Sequence, residues 1–272
     1  MTAPRVALYQ PWIPIRDEGW TRFVLEQFDF RFKTVHNAEI RAGSLRQRFD
    51  CILIPDLGMS ALLEGRDERS VPPPYARGIG LDGGMALERF VEQGGTLVLM
   101  DSSSQFATDL LKVPVRNVLD GLKRDEFFCP GSLLRIRVDP SHPLGYGFPE
   151  EAAAYFVHSQ AYEVGKAALA AAGRDSRGQG NANNPTLINT KLASQPVKTV
   201  ARYSDNIVLL SGWILGEKHL AGRSAVCEIT YGKGRIVLFG FRVQFRGQPH
   251  NTFKFLFNAI YRSTLGRTES AR

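Results

Sequence analysis

Within the first hundred residues, four short apolar runs alternate with stretches of helical periodicity, and this alternation restricts the chain to few architectures. The runs are "RVALY" (5–9), "FKTV" (32–35), "CILIP" (51–55) and "TLVLM" (96–100). Between the first two, Trp20, Phe23, Val24, Gln27 and Phe28 recur at i, i+3, i+4, i+7 and i+8, which predicts one apolar helical face. A short helix is expected around residues 40 to 47. Leu87, Phe90 and Val91 predict a further helix, which "EQGG" ends with a glycine stop. The runs are mostly apolar throughout rather than alternating, so their strands should be buried on both faces. Strands of this kind, interleaved with helices, predict a three-layer α/β fold around a parallel sheet.

The second half has a different pattern. "LLRIRV" (133–138) alternates apolar and basic residues, as expected of a strand with one solvated face. "VKTVARY", "IVLLSG", "SAVCEIT" and "RIVLFGF" follow as strands in close succession, and "YGKG" joins the last two as a hairpin turn. An antiparallel extension near residues 224 to 240 is therefore expected. Phe253, Leu256, Phe257, Ile260 and Tyr261 predict a closing helix with one apolar face. Residues 56–82, rich in Gly, Pro and charge, read as a long loop. Residues 166–196 read as a mobile surface insertion and 266–272 as a frayed tail, leaving residues 1–265 as a single domain.

Composition excludes several classes. No apolar run approaches the roughly 18 residues of a membrane span, and "MTAPRVALYQPW" lacks the pattern of a signal peptide, so no membrane partner is expected. The net charge of +7 is spread among interspersed acids, which argues against a nucleic-acid footprint. Cys51, Cys129 and Cys227 lie far apart, in no zinc-ribbon or disulfide spacing, and Cys51 and Cys227 read as small core residues. Trp213 and the Phe-rich last helix also read as core.

Five longer segments carry a family resemblance: "VALYQPWIPIRDEGWTRFVLEQF", "DEFFCPGSLLRI", "DPSHPLGYG", "LLSGWILGEKHLAG" and "YGKGRIVLFGFRVQFRGQPHNTFKFLFNA". Together they resemble the C-terminal domain of large bacterial zinc carboxypeptidases of the carboxypeptidase A type. The likeness runs from about residue 5 to 262, apart from the 166–196 segment. It implies a flavodoxin-like sheet of the class I glutamine amidotransferase type. It also implies an accessory role beside a peptidase domain that carries the chemistry, in full-length relatives that are secreted or periplasmic. The nucleophilic cysteine expected of an amidotransferase at the strand-to-helix corner is missing.

Three sets of residues bear on chemistry. His36 and Glu39 stand in an H-x-x-E spacing, with His142 about a hundred residues on. Zinc catalysis needs three ligands on a rigid frame and an open water position, and His142 lies in a proline-flanked turn, so no metal is expected. At "MDSSSQ", Ser102, Ser103 and Ser104 follow a strand, but the glycines that flank a nucleophile elbow are absent. Asp101 to Ser104 are therefore expected to cap a helix, and no catalytic residue is assigned.

The third set lies at the carboxyl ends of the strands, where open α/β sheets bind ligands. It comprises Gln10 with Trp12, Asp56, Asp101, Ser102, and the terminal Arg242, Gln244, Arg246 and His250. These residues should form either a binding mouth for a small anionic, peptide or sugar ligand or an Arg–Asp network between strand ends. The expected function is a non-catalytic accessory or interaction domain with no cofactor, whose partner is a peptidase domain or a second copy of the chain. The alternatives are a hydrolase or carboxypeptidase-associated enzyme, or a carbohydrate- or peptide-binding module that uses the strand-end crevice.

Overall fold

The computed structural model describes residues 3–165 and 190–265. The expected tail at 266–272 and most of the expected 166–196 insertion lie outside the described residues. The strands are β1 (Val6–Tyr9), β2 (Phe32–Val35), β3 (Cys51–Ile54), β4 (Thr96–Met100), β5 (Val115–Asn117), β6 (Ser132–Val138), β7 (Glu151–Phe156), β8 (Tyr162–Val164), β9 (Val197–Tyr203), β10 (Leu209–Ser211), β11 (Ser224–Tyr231) and β12 (Gly234–Phe239). The helices are α1 (Arg16–Gln27), α2 (Asn37–Arg41), α3 (Leu45–Arg48), α4 (Met59–Leu63), α5 (Gly80–Glu92), α6 (Thr190–Ala193) and α7 (Phe253–Arg262).

All the strands join one sheet. Its first half runs β2-β1-β3-β4-β12, with every neighbouring pair parallel. This is the 2-1-3-4-5 strand order of flavodoxin-like folds. From β12 the sheet continues antiparallel through β11, β9, β6 and β10, with β7 paired to β6 and β8 to β11.

β1, β3, β4 and β12 are buried on both faces, as their apolar runs require, whereas the edge strand β2 leaves Lys33 exposed. Val6, Leu8, Leu53, Val98 and Val237 pack on one face with Leu25 of α1 and Phe255, Leu256 and Ile260 of α7. Ala7, Ile52, Leu97, Leu99 and Ile236 pack on the other face with Ile40 of α2 and Leu87 and Phe90 of α5. Fully burying a Leu, Ile or Val contributes roughly 1.5–3 kcal/mol, so this double-sided packing holds the strand ends as a rigid frame. The glycine stop of α5 is present, with Gly94 at φ 104°.

Four local expectations are corrected. The buried face of α1 is Glu18, Thr21, Val24 and Leu25, whereas Phe23 is 47% exposed, because the helix is rotated to bring Thr21 over Gln244. The 56–82 segment is not loop throughout, since Leu62 anchors α4 in the core. Trp213 is 53% exposed and packs edge-on against Phe128, and Tyr261 on the last helix is half exposed. The chain after β4 forms a 3₁₀ turn (Asp101–Ser104) and a π turn (Phe106–Leu110) rather than a capped α-helix.

Candidate functional site

Arg242 follows β12 at the carboxyl edge of the sheet and gathers three carboxyl groups, two from other strand ends and one from the start of α1. Its Nε lies 3.4 Å from Asp101 Oδ2 after β4. Its Nη1 lies 3.6 Å from Asp56 Oδ2 after β3 and 3.6 Å from Asp17 Oδ2 at the start of α1. Its Nη2 donates a 2.7 Å hydrogen bond to the Val157 carbonyl, and the guanidinium sits over the Phe245 ring. Gly240 lets the 157–160 loop approach: a Cβ there would meet the Gln160 carbonyl at 2.8 Å, and the Gln160 N–H donates to the Gly240 carbonyl.

The contacts to Arg242 are long and its charge is outnumbered, so burial dominates at Asp101 and Asp17. Burial, reinforced by the Asp56 charge, holds Asp101 well above the usual carboxylate range, against the Ser159 hydrogen bond and Arg242. Asp101 therefore keeps its proton at pH values where an ordinary aspartate is ionised. Burial also raises Asp17, with Arg242 opposing it. Asp56 Oδ1 accepts the Ser102 N–H at 3.1 Å, and Ser159 Oγ donates to Asp101 Oδ2 at 2.7 Å.

The backbone is strained around the same arginine. Of the seven non-glycine residues with positive φ among the described residues, Asp101 (51°), His158 (50°) and Arg246 (52°) border this cluster. Left-handed backbone at such residues costs of order 1–3 kcal/mol and concentrates at functional sites. Above the cluster opens a cleft of about 500 Å³, with Asp17, Trp20, Asp56, Gly58, Arg242 and Phe245 in its lining. Ser102 and His158 also border a second hollow of about 230 Å³, which contains Asp120 and Gln160. Burial, with the nearby Asp109 charge, pushes the Asp120 carboxyl up to about 6.

The structure places the sequence-selected residues unequally. Asp56, Asp101, Ser102, Arg242 and Arg246 come together around the cleft. Gln10 and Trp12 do not. The Gln10 N–H binds the Val35 carbonyl, its carbonyl accepts from His36 Nδ1, and Trp12 stacks on His36 at 3.9 Å, which draws this segment toward β2. Gln244 turns into the core and donates to Thr21 Oγ1, and His250 is exposed and stacks on Phe253. Asp17, Val157, His158 and Ser159 were missed. Asp17 in "RDEGW" reads as an ordinary acidic first turn, and "FVHSQ" has no motif spacing.

The other chemical candidates have structural partners. The His36 N–H donates to Glu39 Oε2, and Glu39 also pairs with Arg48, so the H-x-x-E spacing is a helix-start exchange. His142 Nδ1 accepts from the Leu144 N–H. The corner serines start a 3₁₀ turn rather than the expected α-helix, with Ser103 as the capping partner of Met100. Ser103 Oγ accepts from the Met100 N–H and lies within hydrogen-bonding reach of the Ile54 carbonyl, which ties the turn back to β3 and β4. Asp101, not a serine, occupies the strained corner.

The strand order and the cleft at the carboxyl edge define a flavodoxin-like α/β protein, a mostly parallel sheet with an antiparallel extension. Among solved structures the chain is similar to a cytoplasmic protein of Salmonella typhimurium, with 12% identity, 95% of this chain and 98% of that chain covered, and a TM-score of 0.53. It is also similar to part of a β-galactosidase from Bacillus circulans sp. alkalophilus, with 10% identity, 96% of this chain and 31% of that chain, and a TM-score of 0.51. A putative GMP synthase component from Thermoplasma acidophilum aligns at 10% identity over 97% and 96% of the chains, with a TM-score of 0.49. At these identities the likeness establishes the fold alone. No family model and no curated protein matches the sequence. Among the described residues, no helix is long and apolar enough to cross a membrane.

Proposed function

We propose that the chain is a non-catalytic accessory module whose strand-end cleft binds a small polar ligand. The observation that carries this reading is Arg242 held at 3.4–3.6 Å from three carboxylates on the floor of an open cleft. A purely structural ion pair has no need of surplus carboxyls beside a cavity. Among the described residues, no hydrogen bond joins a serine or cysteine to a histidine ring as a nucleophile–base pair would require. The sequence resemblance to the C-terminal domain of zinc carboxypeptidases, with its amidotransferase-type sheet, supports a place beside a peptidase.

Ligand-observed NMR with a panel of sugars, amino acids and short peptides tests the reading. Gly58 lines the cleft and a Cβ there meets nothing within 4 Å, so Gly58→Trp fills the cleft without strain. The expected result is saturable binding by at least one compound class and its loss in Gly58→Trp. No binding by any class, or binding that survives the substitution, overturns the proposal.

A second reading, acid–base hydrolysis, is favoured by one feature: Asp101 places a buried carboxyl at a strained strand-to-helix corner. Turnover of aryl glycosides or aryl esters that disappears in Asp101→Asn would establish it in place of the first.

A further inference from the structure

We propose that the cleft takes a small zwitterion, an α-amino acid whose ammonium group sits against Asp17 and Asp56 and whose carboxylate reaches Arg16 and Arg246. This specifies the ligand of the binding reading above and rests on it.

The charges lining the cleft are sorted by depth. Asp17, Asp56 and Arg242 are largely buried on the floor, while Arg16 and Arg246 are exposed at the rim. With Asp101 holding its proton, the floor still sets Asp17 and Asp56 against one guanidinium, so a ligand anion placed there would meet like charge. An ammonium group placed there would supply the cation the floor lacks. Asp17 Oδ1 is buried without a hydrogen-bond partner and calls for a donor of this kind.

The rim has the opposite character. Arg16 and Arg246 make no ion pair among the described residues, and Arg246 is held beside the Phe245 ring by its left-handed backbone. Two guanidinium groups with free N–H donors suit a carboxylate. Trp20, Leu57 and Phe245 give the cleft an apolar wall for a side chain. A volume of about 500 Å³ is within the usual range of small-molecule sites. A neutral sugar would satisfy the floor and leave both rim arginines unused. A phosphate would use the rim and be repelled by the floor.

The test is a calorimetric titration of the full chain at pH 7 and low salt with L-phenylalanine and L-leucine. N-acetyl-L-phenylalanine, L-phenylalaninamide, glucose and inorganic phosphate serve as comparison probes. The free amino acids are expected to bind, and acetylation or amidation should each weaken binding at least tenfold. Arg246→Gln, at an exposed position, should weaken the free amino acid while leaving the amide unchanged. Asp17→Asn should weaken the free amino acid while leaving the acetylated form unchanged. Binding of glucose or phosphate without the amino acids overturns the zwitterion and leaves the binding reading standing. If none of the probes binds and the wider panel is also silent, or if binding persists in Gly58→Trp, both fail.

Discussion

Two arginine–carboxylate clusters lie at opposite ends of β12, and they are built in opposite senses. Beyond its carboxyl end, Arg242 is shared by Asp17, Asp56 and Asp101 at 3.4–3.6 Å. Toward its amino end, Glu228 of β11 is gripped by Arg262 through bonds of 2.6 and 2.8 Å, with Arg235 at 3.9 Å and His142 at 3.6 Å. Burial pushes Glu228 up, but the His142 and Arg262 contacts outweigh it and leave the group at about 2. At the first cluster burial wins, and Asp101 and Asp17 are raised. A carboxylate surrounded by surplus cations in short bidentate geometry is a fastening for α7. An arginine surrounded by surplus carboxyls in long contacts, beside strained backbone and a cleft, is the arrangement we propose as a binding site.

The sharpest way to break this contrast is at the fastening. Arg262→Gln should destabilise the fold by about 3 kcal/mol, since removing one partner strands a buried charge; urea denaturation at pH 7 measures this. The folded-state value of Glu228 is depressed, so its contribution is present above the ordinary value of 4.5 and lost as pH falls toward about 2. Arg262→Gln should flatten the acid limb of the stability curve in that window. An equal loss at every pH would show that the pair is not what ties α7 to β11.

Arg242→Gln should cost less, about 2 kcal/mol at pH 8, for a lost charged hydrogen bond and ion contacts. Without the guanidinium, Asp17 and Asp101 take up protons more readily, so the loss should shrink as the pH is lowered to 5. Denaturation at the two pH values checks the sign; a larger loss at pH 5 would refute the account.

Asp101→Asn should stabilise the chain by about 0.5–1.5 kcal/mol at pH 8. A raised folded-state value means that the aspartate's favourable contribution is complete below its unfolded value and is lost as pH rises through the folded one. Asparagine does not titrate and tolerates the left-handed backbone. The gain should vanish near pH 4, and thermal melts across the range would reveal it. The smallest effect is expected for Ser102→Ala, within about 0.5 kcal/mol by the same melts, because this serine contributes its backbone N–H to Asp56 rather than its hydroxyl.

The sequence by itself determined the skeleton. The unbroken apolar runs of β1, β3 and β4 specify strands buried on both faces, "YGKG" specifies the β11–β12 hairpin, and the period around Phe253 and Leu256 specifies α7. Each is a local signal that the chain carries within ten residues. β7 carries no such signal, because "EAAAYF" is built largely of helix formers and becomes a strand only by pairing with β6. The grouping of Asp56, Asp101 and Arg242 was partly legible, because parallel strands deliver their carboxyl ends to one edge. Tertiary structure alone decided that Asp17 and His158 join them, that Gln10 turns toward β2, and that Gln244 faces the core. Those outcomes depend on helix rotation and loop docking. Such choices are set by contacts between residues as far apart as Thr21 and Gln244, and no periodicity within either segment encodes them.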